Sequence, residues 1–247
     1  LSFRSFAIMT VPLFLACSLF AVAPAAAMCY LVVLQRPQLT IVAVSNGFVW
    51  LLSLLLCSLI WMIIPPLKDV YSYVVVVSVM VQETVRYGAI LAYFKVVESI
   101  KARVSRTERM LPLTSLSASL SAGVGVAIMY SLVMYGQLGT IVLASPGTYY
   151  RDECPSMSIY LSNALHCFLF SILHIVWMIL GYDAFQRKSW HRGAVVFGTH
   201  LVASLLSLLS RQPNDGCVQS VISISVVVVF VSAYLHIQTK DDHDFLS

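Results

Sequence analysis

Seven stretches of this chain are each long enough and apolar enough to cross a lipid bilayer, and no other feature of the sequence restricts the fold so strongly. They cover about 11–34, 40–64, 70–94, 111–136, 157–182, 192–210 and 217–236, where ~20 mostly apolar residues suffice to span the hydrocarbon core. The connections are brief, and no shift of composition marks a second domain. The expected fold is therefore all-α: a polytopic membrane protein of seven transmembrane helices, one domain over 9–240 followed by a short cytosolic tail at 241–247. Charged residues make up 11% of the chain, against about 25% in a soluble domain. The formal charge of +4 does not point to nucleic acid, because the basic side chains sit in short loops between the apolar runs. Six cysteines without CxxC, and six histidines without HExxH or zinc-finger spacing, announce no redox motif, metal or cofactor.

The placement of Lys and Arg sets the expected orientation. With the N-terminus outside, the inner connections hold Arg36, then Lys95, Lys101, Arg103, Arg106 and Arg109, then Arg187, Lys188 and Arg192, then Lys240. The outer segments hold Arg4, Lys68, Arg151 and Arg211. The N-terminus is thus expected to be extracytoplasmic and the C-terminus cytosolic. The first run also has the look of a signal peptide, with Arg4 before an apolar core and Ala23, Ala25 and Ala27 near a cleavage point. Cleavage would send the basic connection 95–109 across the membrane, so the run is read as a retained helix. Met9 is the expected natural start, with residues 1–8 upstream of it.

Ionisable side chains in mid-membrane are costly, by roughly 2.5–3.5 kcal/mol for Asp, Lys or Arg, and normally face a protein interior or a watery cavity. Gln82, Glu83 and Arg86 lie in the middle of the third run, His174 in the fifth and His200 in the sixth. A spacing of three puts Glu83 and Arg86 on one helical face. A polar pocket between these three helices is expected, and its chemistry stays open among three readings. The groups could pair with one another to fix helix packing. Glu83 could act as general base on a water while a histidine holds the oxyanion. The ionisable groups could instead form a transport or proton path. A ligand-binding receptor or transporter is disfavoured, because the outer loops are plain and no discontinuous Gly/Pro helix pair appears.

Along the fourth run Ser115, Ser119, Gly123, Ala127 and Ser131 recur every four residues, a row of small side chains that lets another helix approach closely and is expected to seat a partner helix. Cys17, Cys29, Cys57 and Cys167 lie within spans and read as apolar fillers. Cys154 and Cys217 fall in or beside two outer loops, in an oxidising compartment. A disulfide between them and two free thiols are both compatible with the sequence.

Two resemblances bear on the polar residues. FxxxH at Phe170–His174, a second histidine at His200 and an acidic helix carrying Arg resemble the CAAX prenyl proteases and related bacterial membrane proteases. Those have Glu-Glu where this chain has Gln82-Glu83, and their Arg follows by four residues where Arg86 follows by three. This resemblance implies a membrane-embedded glutamyl protease as the alternative function. The wider match is to the anterior pharynx-defective-one family, the multispanning subunit of γ-secretase. MTVPLFLACSLFAVAPA from Met9, VWLLSLLLCSLIW at 49–61, VQETVR at 81–86, ILHIVWMILGYDAFQRKSW at 172–190 and GTHLVASLLSLL at 198–209 resemble that family in order. The resemblance implies a non-catalytic seven-helix scaffold, embedded in membrane lipid, that binds nicastrin, presenilin and the presenilin enhancer subunit. It also implies membranes from the endoplasmic reticulum and Golgi to the plasma membrane and endosomes. The family's polar core maps onto Gln82, Glu83, Arg86, His174 and His200, and its glycine motif onto Ser115, Ser119 and Gly123. About four extra residues precede Tyr93, Phe94 and Lys95, roughly one more helical turn. The chain's aspartates, Asp69, Asp152, Asp183, Asp215, Asp241, Asp242 and Asp244, all sit at helix ends, loops or tail, so no intramembrane aspartate pair of the presenilin kind is present.

Overall fold

The computed structural model describes residues 3–64, 70–103, 115–144 and 147–241. Residues 111–114 of the fourth expected span, Lys68, Asp69, Arg106, Arg109 and the tail from 242 onward lie outside the described residues. Among the described residues eight α-helices follow in order: α1 Phe3–Met28, α2 Pro37–Ile63, α3 Tyr71–Arg103, α4 Ser115–Gly136, α5 Leu138–Ala144, α6 Ile159–Gln186, α7 Trp190–Ser207 and α8 Gly216–Asp241. Seven segments of the described residues are long and apolar enough to cross a membrane, with α4 and α5 forming one of them over Ser115–Leu143. In lipid the backbone must satisfy its own hydrogen bonds, and unbroken apolar runs do so as helices. Large apolar side chains such as Leu19, Ile41, Phe48, Leu143 and Phe230 point outward, which suits a lipid surround.

Local chemistry sets several helix ends. Pro37 opens α2 at its first turn, where the missing N–H costs nothing. Ser158 caps α6 by accepting from the Leu161 N–H at 3.3 Å. The fourth span was expected to stop at 136, but it continues through α5 after a break at Gln137. There the Gln137 side-chain amide donates to the Met134 carbonyl at 3.0 Å, and Thr140 Oγ1–H donates to the Gln137 carbonyl at 2.7 Å. The third helix runs on past 94 to Arg103, which accommodates the extra turn. A two-stranded antiparallel ladder, β1 Tyr150–Arg151 with β2 Cys154–Ser158, interrupts the all-α pattern and was not read from the sequence.

Consecutive spans alternate in direction, so the bundle has two ends. At the hairpin end Phe14 of α1 stacks on Tyr135 at 5.3 Å, and Arg211 sits 3.9 Å over the Tyr71 ring. Cys154 and Cys217 are joined there as a disulfide with Cα atoms 5.8 Å apart, an ordinary span for such a bridge. The Ser156 N–H donates to Asp215 Oδ1 at 3.2 Å, closing the same loop. At the opposite, basic end lie Arg187, Lys188 and Arg192.

Helices α4 and α6 form the centre: α6 gives buried residues to all four apolar clusters in which the other helices pack, and α4 gives them to three, with half-buried Tyr130 packed against the fourth. The small-residue row explains this closeness. Ser119, Ala127 and Ser131 are buried, while a Cβ added to Gly123 would lie 2.7 Å from Ile175 Cα in α6. Ser131 and Ser171 share a hydrogen bond at 2.8 Å. Ser115 is half-buried at the start of the row. From Gly123 to Ser131 the row seats α6 of the same chain, where a partner's helix was expected. A second close approach lies on another face of α4, where a Cβ on Gly125 would collide with the Ala43 carbonyl of α2. Gly125→Val should therefore destabilise the bundle by ~1–3 kcal/mol, the usual cost of overpacking. Gly198→Ala, whose added carbon meets nothing within 4 Å, should stay within ~1 kcal/mol of the parent. Thermal unfolding of both variants in detergent makes the comparison.

Candidate functional site

The turn between α6 and α7 sets the depth of the two histidines. Lys188 stands at φ 52°, the left-handed position at which a helix commonly ends, usually on Gly. Its N–H donates to the Phe185 carbonyl at 3.2 Å, and that of Ser189 donates to Ala184 at 2.9 Å. Asp183, buried at the end of α6, pairs with Arg187 at 2.8 Å and also with Arg192 of α7, clamping the turn. His174 precedes Lys188 by fourteen residues and His200 follows it by twelve, so at 1.5 Å per residue both lie about 20 Å from the turn. Helix α3 brings Glu83 and Arg86 to the same level.

Four of the five expected polar residues form one connected network. Arg86 Nη1 lies 2.6 Å from Glu83 Oε1, and the His200 Nδ1–H donates to the same oxygen at 2.5 Å. Arg86 Nη2 lies 3.4 Å from His174 Nδ1. Guanidinium can only donate, so His174 Nδ1 accepts and its ring proton sits on Nε2. The network thus runs His200–Glu83–Arg86–His174, joining α7, α3 and α6 through one carboxylate and one guanidinium. With both imidazoles neutral its net charge is zero, which is what a low-dielectric interior tolerates. Arg86 is 7%, His174 1% and His200 2% exposed, so solvent offers little of the compensation. Gln82 stands beside the network, on the wall of an adjoining cavity.

Three aromatic residues complete the site; none was expected in it from the sequence, although Trp177 lies in the segment 172–190 that carries the family resemblance. Trp177 is fully buried and lies 4.3 Å from the His200 ring, 5.5 Å from His174 and 5.6 Å below the Arg86 guanidinium. Its indole N–H donates to Thr199 Oγ1 at 2.9 Å, fixing α6 to α7 beside the charges. Tyr130 from α4 and Trp50 from α2 place their rings 4.9 and 6.2 Å from His174. Trp177 follows His174 by three residues, a same-face spacing that could have flagged it. Tyr130 and Trp50 carry no comparable signal.

Two cavities meet this network. One of about 340 Å³ extends from the hairpin end to His174 and His200. Another of about 560 Å³ extends from the basic end to Glu83 and Arg86. Among the described residues, one group could hold a metal ion by proximity: Cys154, Asp215 and Cys217. Its two sulfurs are spent in the disulfide and are not the thiolates a metal needs.

The sequence profile of the Aph-1 protein family matches residues 12–240, which include every residue of the network. The chain is 28% identical over 236 residues to gamma-secretase subunit Aph-1b of Danio rerio, covering 92% of this chain and 89% of that protein. It is 30% identical over 204 residues to gamma-secretase subunit Aph-1 of Drosophila melanogaster, covering 82% and 83%. Gamma-secretase subunit APH1-like of Arabidopsis thaliana is 26% identical over 217 residues, covering 85% and 86%.

Removing one charge from the network strands the other. Arg86→Met should lower stability by ~3–5 kcal/mol, because it leaves the Glu83 carboxylate buried without its cation. Adding Glu83→Gln should recover part of that loss. Unfolding midpoints of the single and double variants in one detergent check both statements.

Proposed function

The chain belongs to the Aph-1 family, and from that membership we propose that it is a non-catalytic scaffold subunit of a γ-secretase complex, assembling presenilin, nicastrin and the presenilin enhancer subunit in the membrane. The observation that carries the reading is the family match over 12–240, together with relatives that are named as subunits of that protease. The site's chemistry supports a structural role. Glu83 is engaged by both Arg86 and His200, and a carboxylate held by a guanidinium is a poor general base. The network ties α3, α6 and α7 into one body, which gives partner helices a fixed surface. In this reading the basic end faces the cytosol, and the disulfide end faces an oxidising lumen or exterior.

Affinity isolation of the chain from its own membranes in mild detergent should recover presenilin and nicastrin, and the isolated chain should not cleave peptides. His174→Ala and His200→Ala should insert normally yet recover several-fold less of both partners. Peptide cleavage by the chain alone, abolished in Glu83→Gln, would favour a glutamyl protease instead. Undiminished recovery of partners with both histidine variants would remove the structural role of the network.

A further inference from the structure

We propose that the polar network is also a proton-transfer bridge, joining two cavities that together traverse the bundle. The hairpin-end cavity begins near Arg151 and Ser210 and passes Ser207, Asn163 and Gln82 before it reaches His174 and His200. The basic-end cavity begins near Lys188 and passes Phe185 and Gly193 before it reaches Glu83 and Arg86. The two imidazoles thus line one cavity, and the carboxylate and guanidinium line the other. Between the cavities stand the His200–Glu83 hydrogen bond of 2.5 Å and the Arg86–His174 contact of 3.4 Å.

Ser78, Gln82, Asn163, Ser204 and Ser207 line the hairpin-end cavity among apolar side chains, and a cavity of this size with several such hydrogen-bonding partners has room for water. Trp50 lines it as well, with an indole N–H that is buried and has no protein acceptor among the described residues, and a buried donor of this kind is ordinarily satisfied by water. At the basic end the cavity is open beside Gly193, where an added Cβ meets nothing within 4 Å, and the exposed rings of Tyr87, Trp190 and Phe197 border it. A purely structural ion pair requires neither cavity. Both approach it, from opposite sides.

The proton steps balance. His200 Nδ1 is committed to Glu83, so Nε2 is the nitrogen that water in the hairpin-end cavity can protonate. The Nδ1 proton then passes to Glu83 Oε1, which leaves a neutral imidazole carrying its proton on Nε2. Glu83 releases the proton to water in the basic-end cavity and regains its charge. Rotation of the His200 ring away from Glu83 then turns Nδ1 to the hairpin-end water, which protonates Nδ1 and takes the proton from Nε2, and rotation back restores the first tautomer. In each cycle one proton thus enters from the hairpin end and one leaves at the basic end. The fixed Arg86 cation repels metal cations at the constriction. Its pairing with Glu83 also makes the protonated carboxylate costly, so the bridge is slow and selective for protons.

The test is proton flux by the full chain alone, purified and reconstituted into phosphatidylcholine vesicles that contain a pH-sensitive dye, with the voltage clamped by valinomycin and potassium. The internal pH should relax several-fold faster than in protein-free vesicles, with no matching sodium flux. Glu83→Gln should return the rate to background. Gly193→Leu and Ser207→Leu, which obstruct the two cavities at a distance from the network, should each slow it several-fold and keep the proposal testable if Glu83→Gln misfolds. A parent rate equal to that of empty vesicles, or one that neither obstruction changes, would overturn the proposal. No partner subunit is needed, so the outcome is independent of the assembly reading.

Discussion

An ionised carboxylate and an ionised guanidinium in the middle of a membrane must be neutralised by protein, because lipid offers nothing to either. That requirement organises the bundle. Glu83 and Arg86 neutralise one another along α3, but each has hydrogen-bonding capacity left over, and His200 and His174 meet part of it from α7 and α6. Three helices are thereby held in register at one depth. Trp177 and Thr199 bind two of them again beside the charges. The α6–α7 turn, clamped by Asp183, gives the two histidines their common level.

The other helices provide the enclosure. Only a tightly packed α4 and α6 can exclude lipid from the network, and their closeness depends on side chains that are small or missing at the crossings. Gly123 meets the backbone of Ile175, and Gly125 meets that of Ala43, so α4 is wedged between α6 and α2. Tyr130 reaches from α4 toward His174. The packing is close around the charges, yet it leaves space toward both ends of the bundle. A scaffold needs the close packing, and a proton bridge needs the space.

How much of this was legible depended on which residues carry an energetic cost that sequence displays. Apolar runs of membrane length announce helices directly, and Glu83, Arg86, His174 and His200 announced themselves because polar groups in such runs must find one another. Trp50, Tyr130 and Trp177 were missed because aromatic residues are at home in apolar helices and pay no penalty that would mark them. The small-residue row showed that some helix approaches α4, but a four-residue period does not say which. The contact of Gly125 with α2 was unseen for the same reason, since it depends on tertiary placement. The break at Gln137 and the ladder at Tyr150–Ser158 were also unseen, being too short to leave a periodic signal.

The interlocking of the network is most directly tested by a double-mutant cycle on His174 and His200, which sit on different helices and connect through Glu83 and Arg86. Unfolding free energies would be measured for His174→Phe, His200→Phe and the pair in one detergent. Members of a single network should show a coupling of about 0.5–3 kcal/mol, the pair costing less than the sum of its parts. Additive losses, agreeing within ~0.3–0.5 kcal/mol, would mean two independent buried histidines and no shared lock.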